Sequence, residues 1–370
     1  MNIMGNIIIG VGNAGTNCIK MAADTLSLSD VEMYAIDSVA SQIDINNITK
    51  IKYFPIQADE KSGSGRSRER GSEMFKFHES NGLFNDLYEE CKKAKEPILV
   101  ITSAAGGTGS GASVPLCSSL ISMGIQVIPL IICPNQNDPD AFHLNTNDLF
   151  IELGEVGVKT YATFENRRGD ADYEPVNREV VTMIEIIFGK KYDKTDKDSI
   201  DDSDLDVVLQ TPGRFIATAA TGASAGILQR EITRKVFSGF QQVWDNNEAK
   251  DCTILTAYSL KSLFADTEFK QVFSEINKKL STMHQYDEYR NIVNDSNDGV
   301  SEATIIIAGL PRPAAKDVYN EYQDVSGISA GITRSKRPGF MGMKKASVAE
   351  KKNEKGGTEK YFVWGSHQKK

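Results

Sequence analysis

The chain has 370 residues, which is enough for two domains of ordinary size. Its composition, 40% hydrophobic and 25% charged, is typical of a globular protein and excludes a disordered or fibrous class. No apolar run approaches the roughly 18 residues of a membrane span, and the first twelve residues predict a strand rather than a signal peptide. We therefore expect a cytoplasmic protein without a membrane partner.

Cysteine and histidine usage argues against two kinds of site. The cysteines are odd in number, lack CxxC spacing, and stand at Cys18, Cys91, Cys117, Cys133 and Cys252. The four histidines lie far apart in the sequence. We expect neither a disulfide framework nor a zinc site, assign no residue as a metal ligand, and interpret the cysteines as small buried thiols.

Charge is distributed unevenly along the chain. From Arg334 onward there are eleven Lys or Arg and three Glu, a net of +8; because the whole chain carries −8, the part before Arg334 carries −16. The tail has little apolar surface, so we expect it to be disordered by itself. Its basicity indicates an acidic partner, either nucleic acid or the acidic body of another copy.

The first 135 residues alternate between strand and helix patterns. Predicted strands cover 6–12, 31–37, 96–104 and 125–132, and predicted helices cover 15–26, a segment from about 71 to 93, and 113–124. The last two strands are apolar on both faces. Buried strands joined by helices predict a doubly wound parallel sheet of the nucleotide-binding type.

The second half predicts a long helix followed by a smaller α/β domain. Residues 173–189 place apolar side chains at helical spacing, and a charged loop at 190–206 leads into a short helix. Strands at 214–220, 252–258 and 302–310 then alternate with helices at about 223–245 and 267–282.

The first glycine loop follows the first predicted strand. It reads Gly10-Val-Gly12-Asn13-Ala-Gly15, a GxGxxG pattern, and Asp37 ends the next strand. A dinucleotide-binding fold places its ribose-binding acid at such a position, so this loop taken alone favours an oxidoreductase that binds NAD. The pattern is weak, however, because a glycine-rich helix N-terminus suits any phosphate.

A second glycine loop lies between another strand and helix. It comprises Ala105, Gly106, Gly107, Thr108, Gly109, Ser110 and Gly111. A nicotinamide dinucleotide needs one pyrophosphate cradle, whereas two cradles on one sheet suit a triphosphate. The loop lacks the lysine of a P-loop, so charge neutralisation falls to backbone dipoles, Mg²⁺ and the arginines Arg66, Arg68 or Arg70.

The segment AGGTGSG (105–111) resembles the signature of the tubulin and FtsZ superfamily, and the order of other segments agrees over roughly residues 5–310. The resemblance implies a GTP-binding domain at 1–172, a central helix at 173–190 and an activation domain at 191–312. A C-terminal helix and a flexible basic tail follow at 313–370. The expected fold class is α/β: a doubly wound GTPase domain, a long central helix and a smaller α/β domain.

The resemblance also assigns roles around GTP or GDP. The first loop, with Gly10, Gly12, Asn13 and Gly15, would line the phosphates; Gly63 and Gly65 would stand near the γ-phosphate. Residues 106–111 would wrap the β-phosphate, and Thr108 would offer its hydroxyl.

The base pocket is implied by the same resemblance. Asn166 stands where the family binds the base, and Tyr173 and Asn177 share one helix face, so that one stacks on a purine while the other bonds its edge. Asp138 stands where the family contacts ribose, in a loosely matched segment. The alternative is that Tyr173 only caps the helix and Asn177 is solvated, so that neither binds a base.

Two carboxylates are the catalytic candidates. In the superfamily, acids after the central helix act on the nucleotide of the neighbouring subunit, and Asp201 and Asp204 occupy that place. Carboxylates at i and i+3 project to one side and orient a water molecule. Ser199 stands where the family often has Asn, and Asp202 and Asp206 crowd the segment. A solvated acidic loop is the structural alternative.

These assignments predict a GTPase that polymerises head-to-tail, with Mg²⁺ as a cofactor and itself as the main partner. The short N-terminus, the base-pocket segment and the acid loop resemble the plasmid and phage tubulins, TubZ and PhuZ, more than FtsZ. A TubZ-like role would segregate plasmid or phage DNA through a DNA-binding adaptor that grips the basic tail. The alternatives are a PhuZ-like filament that centres phage DNA, an FtsZ-type division protein, a non-hydrolysing scaffold and a nucleotide-binding oxidoreductase.

Overall fold

The computed structural model describes residues 5–26, 31–38, 50–57, 63–135, 138–166, 173–188, 200–240, 253–282, 284–294, 299–310, 347–352 and 358–363. The elements of the first half are β1 (Asn6–Val11), α1 (Gly12–Thr25), β2 (Val31–Asp37), β3 (Ile51–Pro55), α2 (Arg68–Ser80), α3 (Asn85–Cys91), β4 (Lys95–Ser103), α4 (Gly107–Ser122), β5 (Val127–Cys133), α5 (Asp140–Glu155) and β6 (Thr160–Glu165).

The elements of the second half are α6 (Glu174–Ile187), α7 (Asp202–Gln210), β7 (Gly213–Gly222), α8 (Ala225–Phe240), β8 (Thr253–Ser262), α9 (Ala265–Val272), α10 (Ser274–Leu280), β9 (His284–Asn294), β10 (Ser301–Leu310), β11 (Ser347–Lys352) and β12 (Thr358–Val363).

One ten-stranded sheet organises the molecule, in the order β3-β2-β1-β4-β5-β6-β7-β10-β8-β9. All pairs among strands β1 to β7 are parallel, whereas β10 is antiparallel to both β7 and β8. The strand order reverses beside β1, between β1 and β4. In open α/β sheets ligands bind at such a switch point, outside the carboxyl ends of the strands.

Successive strand residues alternate between two cores, as the pleat requires. Ile8 packs with α1, α6 and α7 on one face, while Ile7 and Ile9 pack with helices α2 to α5 on the other. A third core lies under α8, α9 and α10 in the second half. The face that carries α1 and α6 is called the α1 face below, and the opposite one the α4 face.

The predicted α/β architecture is confirmed, including the long helix at 173–189. In α6, Val176, Val180, Met183, Ile184 and Ile187 are all buried, and the helix packs against both α1 and β7. Proline at its first turn suits a helix start, since that position needs no N–H donor. The strands of the second half extend the same sheet through the parallel pairing of β6 and β7. The division of the chain into domains stays a prediction.

The C-terminal region is described only in part. The expected C-terminal helix falls outside the described residues. Within the basic tail, for which we expected disorder, β11 and β12 form a two-stranded antiparallel sheet. Among the described helices, none combines the length and apolar character of a bilayer crossing.

Candidate functional site

A cavity of about 510 Å³ opens at the carboxyl edge of the parallel sheet. Its wall includes the last residue of four strands: Val11 of β1, Asp37 of β2, Ser103 of β4 and Cys133 of β5. The strand topology therefore brings loops that are far apart in sequence to one place, at the switch point.

Most of the residues singled out in the sequence lie in this wall. They are Gly12, Asn13, Asp37, Gly63, Gly65, Ala105, Gly106, Gly107, Thr108, Gly109, Asp138, Asn166, Tyr173 and Asn177. Gly10, Gly15, Ser110 and Gly111 do not lie in it; they pack behind the loops. A Cβ on Gly15 would lie 2.3 Å from the Ile101 carbonyl oxygen, and one on Gly111 would lie 2.2 Å from that of Arg68.

Two helices begin at the cavity with their N-termini bare. Helix α1 starts at Gly12 and α4 at Gly107, and no described side chain caps either helix or places an acid in its first turn. The N–H groups of a first turn carry a partial positive charge and need acceptors. Two such ends at one cavity make a strong anion site.

Close packing of the two glycine loops explains their composition. Gly12 has a φ of +71°, and a Cβ there would lie 2.8 Å from the backbone nitrogen of Gly109. A Cβ on Gly107 would lie 2.6 Å from the Arg66 carbonyl carbon. Side chains at these positions would push apart the loops that form the cradle.

Hydroxyl groups line the floor between the loops. The Thr108 hydroxyl lies 2.6 Å from that of Ser38 and 3.0 Å from that of Ser64. The Asp37 carboxylate accepts a hydrogen bond from the Ser38 backbone N–H at 2.6 Å. These oxygens are hard ligands of the kind that Mg²⁺ shares with phosphates. No cluster of three or more His, Cys, Asp or Glu that could hold a metal occurs among the described residues.

The loop at 63–67 is fastened to the second glycine loop by α5. The Asn145 side-chain amide donates to the Ala105 carbonyl at 3.0 Å and to the Arg66 carbonyl at 3.3 Å. Asn145 is buried, so these bonds are shielded from water. The Asn145 side chain thus fixes the position of the 63–67 loop relative to the second glycine loop.

The three arginines suggested by the sequence have different surroundings. Arg66 lies in the cavity wall. Arg68 is buried behind it, donates to the Ser110 hydroxyl at 3.0 Å and pairs with Glu152 at 2.8 Å. Arg70 is not among the residues that line the cavity. Arg68 is therefore a structural cation, and Arg66 is the one placed toward a ligand.

The aromatic and amide residues predicted for a base form the other end of the cavity. Tyr173 precedes α6 and is half exposed, and Asn177 follows one turn later. The Cys18 thiol donates to the Asn177 side-chain oxygen at 3.2 Å, which fixes the amide. Burial raises the pKa of Cys18 to about 12, so this donor keeps its proton at neutral pH. Asn166 follows β6, and its backbone N–H donates to the Cys133 carbonyl.

Asp138 is buried in the wall and stabilises its own loop. Its carboxylate accepts from the Asn135 backbone N–H at 2.9 Å, and its carbonyl lies 3.0 Å from His143 Nε2. The contact with ribose that the resemblance implies stays a prediction.

Asp201 and Asp204 lie at the opposite edge of the sheet from the cavity. Their neighbour Asp202 accepts from Lys95 at 3.2 Å, and Lys95 is the first residue of β4, whose last residue borders the cavity. A strand of nine residues spans roughly 26 Å. The two acids therefore cannot reach the cavity of their own chain.

The same two acids form a capping box at the start of α7. The Asp201 carboxylate accepts from the Asp204 N–H at 2.9 Å, and the Asp204 carboxylate accepts from the Asp201 N–H at 3.2 Å. Asp201 is exposed and Asp204 partly so, while Leu205, Val208 and Leu209 are buried as predicted. The cap fixes both carboxylates at the surface.

Sequence reasoning missed several wall residues, including Asn17, Ser38, Ser64, Ser103 and Phe142. Serines in loops carry no distinctive signal. Phe142 belongs to α5, which the sequence analysis did not identify as a helix. Only the position of each of these residues after a parallel strand, or in the helix that follows one, could have indicated them.

Comparison with known proteins gives matches of structure alone. Neither protein-family models nor curated proteins match the sequence. The fold is similar to CetZ2 from Haloferax volcanii in a GTPγS-bound protofilament, with a TM-score of 0.67 and 14% identity over 89% of this chain and 100% of that one.

Two further structures are similar to the same degree. TubZ from Bacillus thuringiensis serovar israelensis, in a GTPγS-form protofilament, gives a TM-score of 0.65 and 18% identity over 89% of this chain and 94% of that one. An FtsZ dimer from M. jannaschii gives a TM-score of 0.62 and 14% identity over 83% of this chain and 88% of that one. At these identities the matches establish the shared fold, and the scores do not favour one of the three groups.

Proposed function

We propose that this chain, which has the fold of the tubulin/FtsZ superfamily, is a GTPase that assembles head-to-tail and hydrolyses GTP between subunits. The observation that carries the proposal is the placement of two groups at opposite edges of one sheet. The cavity with the bare N-termini of α1 and α4 lies at the carboxyl edge, and a capped pair of carboxylates lies at the amino edge.

Binding of GTP follows from the cavity. The bare N-termini of α1 and α4 attract the phosphates, and the hydroxyl of Thr108 donates to them. Tyr173 stacks on the base, and the amides of Asn166 and Asn177 bond its edge. Mg²⁺ would be held by phosphate oxygens together with Asp37 and Thr108, and it would supply neutralisation of phosphate charge.

Hydrolysis requires a second subunit. Asp201 and Asp204 lie near the first residue of β4, and the cavity borders its last residue, roughly 26 Å along the strand. They therefore serve a nucleotide only when the amino edge of one molecule covers the carboxyl edge of another. The carboxylates then orient the attacking water and accept its proton. The capping box keeps both groups in a defined position before the subunits meet.

A contact between opposite edges of identical molecules is heterologous, and repeated without closure it produces a filament. Two of the similar structures are protofilaments with GTPγS, which supports this mode of assembly. The nucleotide would lie in the contact, stabilise it while intact, and weaken it once the γ-phosphate leaves.

For the cellular role we propose DNA segregation of the TubZ type, through an adaptor that binds the basic tail. The net charge of +8 from Arg334 onward supports an acidic or DNA-associated partner. The sequence resemblance to plasmid and phage tubulins supports the assignment further. A PhuZ-like filament that centres phage DNA is the alternative, since a tail can also bind the acidic body of another copy.

A sedimentation assay with parallel measurement of phosphate release tests the activity. Purified protein is mixed with GTP, GDP or NAD in Mg²⁺ buffer and centrifuged. We expect pelleting and phosphate release with GTP, and neither with GDP or NAD. Pelleting with GTP but without phosphate release would favour a nucleotide-gated scaffold, and binding of NAD without pelleting would favour an oxidoreductase.

A further inference from the structure

Arg66 is the only Lys or Arg among the described residues that line the cavity. A nucleoside triphosphate brings several negative charges, while each helix N-terminus offers only about half a positive charge. The P-loop lysine that could balance the remainder is missing from the second glycine loop. The Arg66 guanidinium is thus the strongest single attraction for phosphate in the described wall.

The two faces of the sheet fix the direction in which a nucleotide lies. Tyr173 and Asn177 belong to α6 and its N-terminus, on the α1 face. Arg66 contacts Phe142 of α5, and α5 packs on the α4 face. A nucleotide whose base lies beside α6 on the α1 face must run between the two glycine loops, across the carboxyl edge of the sheet, to the α4 face. Its terminal phosphate then points to the α4 face, toward Arg66.

The backbone of Arg66 is held in an uncommon conformation. It has a φ of +66°, directly after Gly65 at +61°, and it is the one non-glycine residue with positive φ in the described chain. A long side chain seldom adopts this left-handed region without compensating contacts. Asn145 supplies one such contact by donating to the Arg66 carbonyl at 3.3 Å.

The side chain of Arg66 has a resting place beside the cavity. Its guanidinium lies 5.1 Å from the centre of the Phe142 ring, within the range of a cation–π contact. The residue as a whole is exposed, so the guanidinium can leave the ring without unfolding its loop. Such a contact orients the planar fork that bonds phosphate oxygens in pairs.

We infer that Arg66 is the specificity-determining residue that distinguishes a nucleoside triphosphate from a diphosphate in this cavity. The inference rests on the proposed nucleotide site. The guanidinium bonds the terminal phosphate from within the same chain, while the α1 and α4 N-termini bind the phosphates that both nucleotides share. Loss of that phosphate releases the guanidinium and with it the 63–67 loop at the carboxyl edge.

The test measures affinity in the absence of assembly. Fluorescent GTPγS and GDP analogues are titrated against the wild type, Arg66→Ala and Arg66→Lys at protein concentrations below those that pellet. Arg234→Ala, which removes an exposed arginine from α8, is the matched control. Thermal unfolding of each variant without nucleotide shows that the fold is retained.

We expect the wild type to prefer the triphosphate, and Arg66→Ala to lose at least roughly tenfold of that preference with little change for GDP. Arg66→Lys should retain part of it, because lysine keeps the charge but not the fork. An unchanged preference in Arg66→Ala would overturn the inference and leave the nucleotide site intact. Failure of the wild type to bind either nucleotide would overturn the proposed function and this inference together.

Discussion

Replacing Gly106 by Asp should stabilise the folded protein and abolish nucleotide binding. Gly106 occupies the N-cap position of α4 with φ −75° and ψ 157°, a conformation that any residue adopts. A Cβ there would meet only the Ser103 hydroxyl, at 3.9 Å. The backbone therefore accepts a side chain without strain, and a carboxylate at this N-cap position can accept a hydrogen bond from the first turn of α4.

The new carboxylate should raise the free energy of unfolding and lower the affinity for nucleotide. An N-cap Asp improves on Gly by a few tenths of a kcal/mol, and its charge at a helix N-terminus adds about 0.3–1 kcal/mol. The free energy of unfolding should thus rise by roughly 0.5–1.5 kcal/mol. Against a phosphate about 4 Å away, the same charge costs about 4 kcal/mol at an effective dielectric constant of about 20, or a roughly thousandfold loss of affinity.

Urea denaturation of nucleotide-free protein and titration with a fluorescent GTP analogue measure the two effects. Gly106→Ala is the matched control, because it adds the Cβ without the carboxylate: its unfolding free energy should not rise, and it should bind GTP far better than the Asp variant. Binding by Gly106→Asp at the affinity of the wild type would refute the interpretation of this helix end as a phosphate cradle.

Two other changes have defined outcomes. Asp201→Asn and Asp204→Asn should each lower phosphate release from assembled protein by roughly a hundredfold or more while GTP binding is kept, since the amide cannot act as a base. Asp201→Asn should also keep the N-cap hydrogen bond of α7. Asp201→Ala should lose this bond and lower the unfolding free energy by about 1 kcal/mol. Unaltered turnover in both Asn variants would contradict the catalytic assignment. Burial lowers the pKa of His78 below its ordinary 6.5, against a hydrogen bond with the Gln57 carbonyl that raises it. The unfolded state then binds the proton more tightly, so the unfolding free energy should decrease as pH falls below about 6.5. In urea titrations from pH 8 to 5, His78→Gln should show a weaker dependence of the unfolding free energy on pH. An equal dependence in the variant would refute the lowered pKa of His78.

Several of the strands that the sequence predicted have continuous apolar runs. A segment such as 125–132 is buried on both faces, so its composition alone indicates a central parallel strand. The long helix α6 was predictable for a similar reason, because its apolar spacing is regular and proline marks its start. The glycine loops between these elements located the cavity.

Other strands carry no such signal. β9 contains Asp287, Glu288 and Arg290 and is the outermost strand of the sheet, where solvent accepts charged side chains. β6 has Thr, Tyr and Phe residues that suit a strand, but its six residues contain no continuous apolar run. Its place became evident only through pairing with β5 and β7.

The candidate site shows a similar division. Spacing indicated that Asp201 and Asp204 share one side of a turn, but not that they cap α7 or that Lys95 places them at the amino edge. Likewise, Asn145 and Arg66 are 79 residues apart, and their hydrogen bond depends on the packing of α5 beside the second glycine loop. Contacts of this kind arise from tertiary structure and leave no local pattern.

Complementation between two inactive variants tests whether one active site is built from two molecules. The double variant Asp201→Asn/Asp204→Asn binds GTP but lacks the acids, while Gly106→Asp retains the acids but should not bind GTP. Each alone should release almost no phosphate from GTP. Because the two halves of one active site lie on two molecules, an equimolar mixture should hydrolyse GTP. An inactive mixture of folded variants, with GTP bound to the double variant, would contradict this division of the active site.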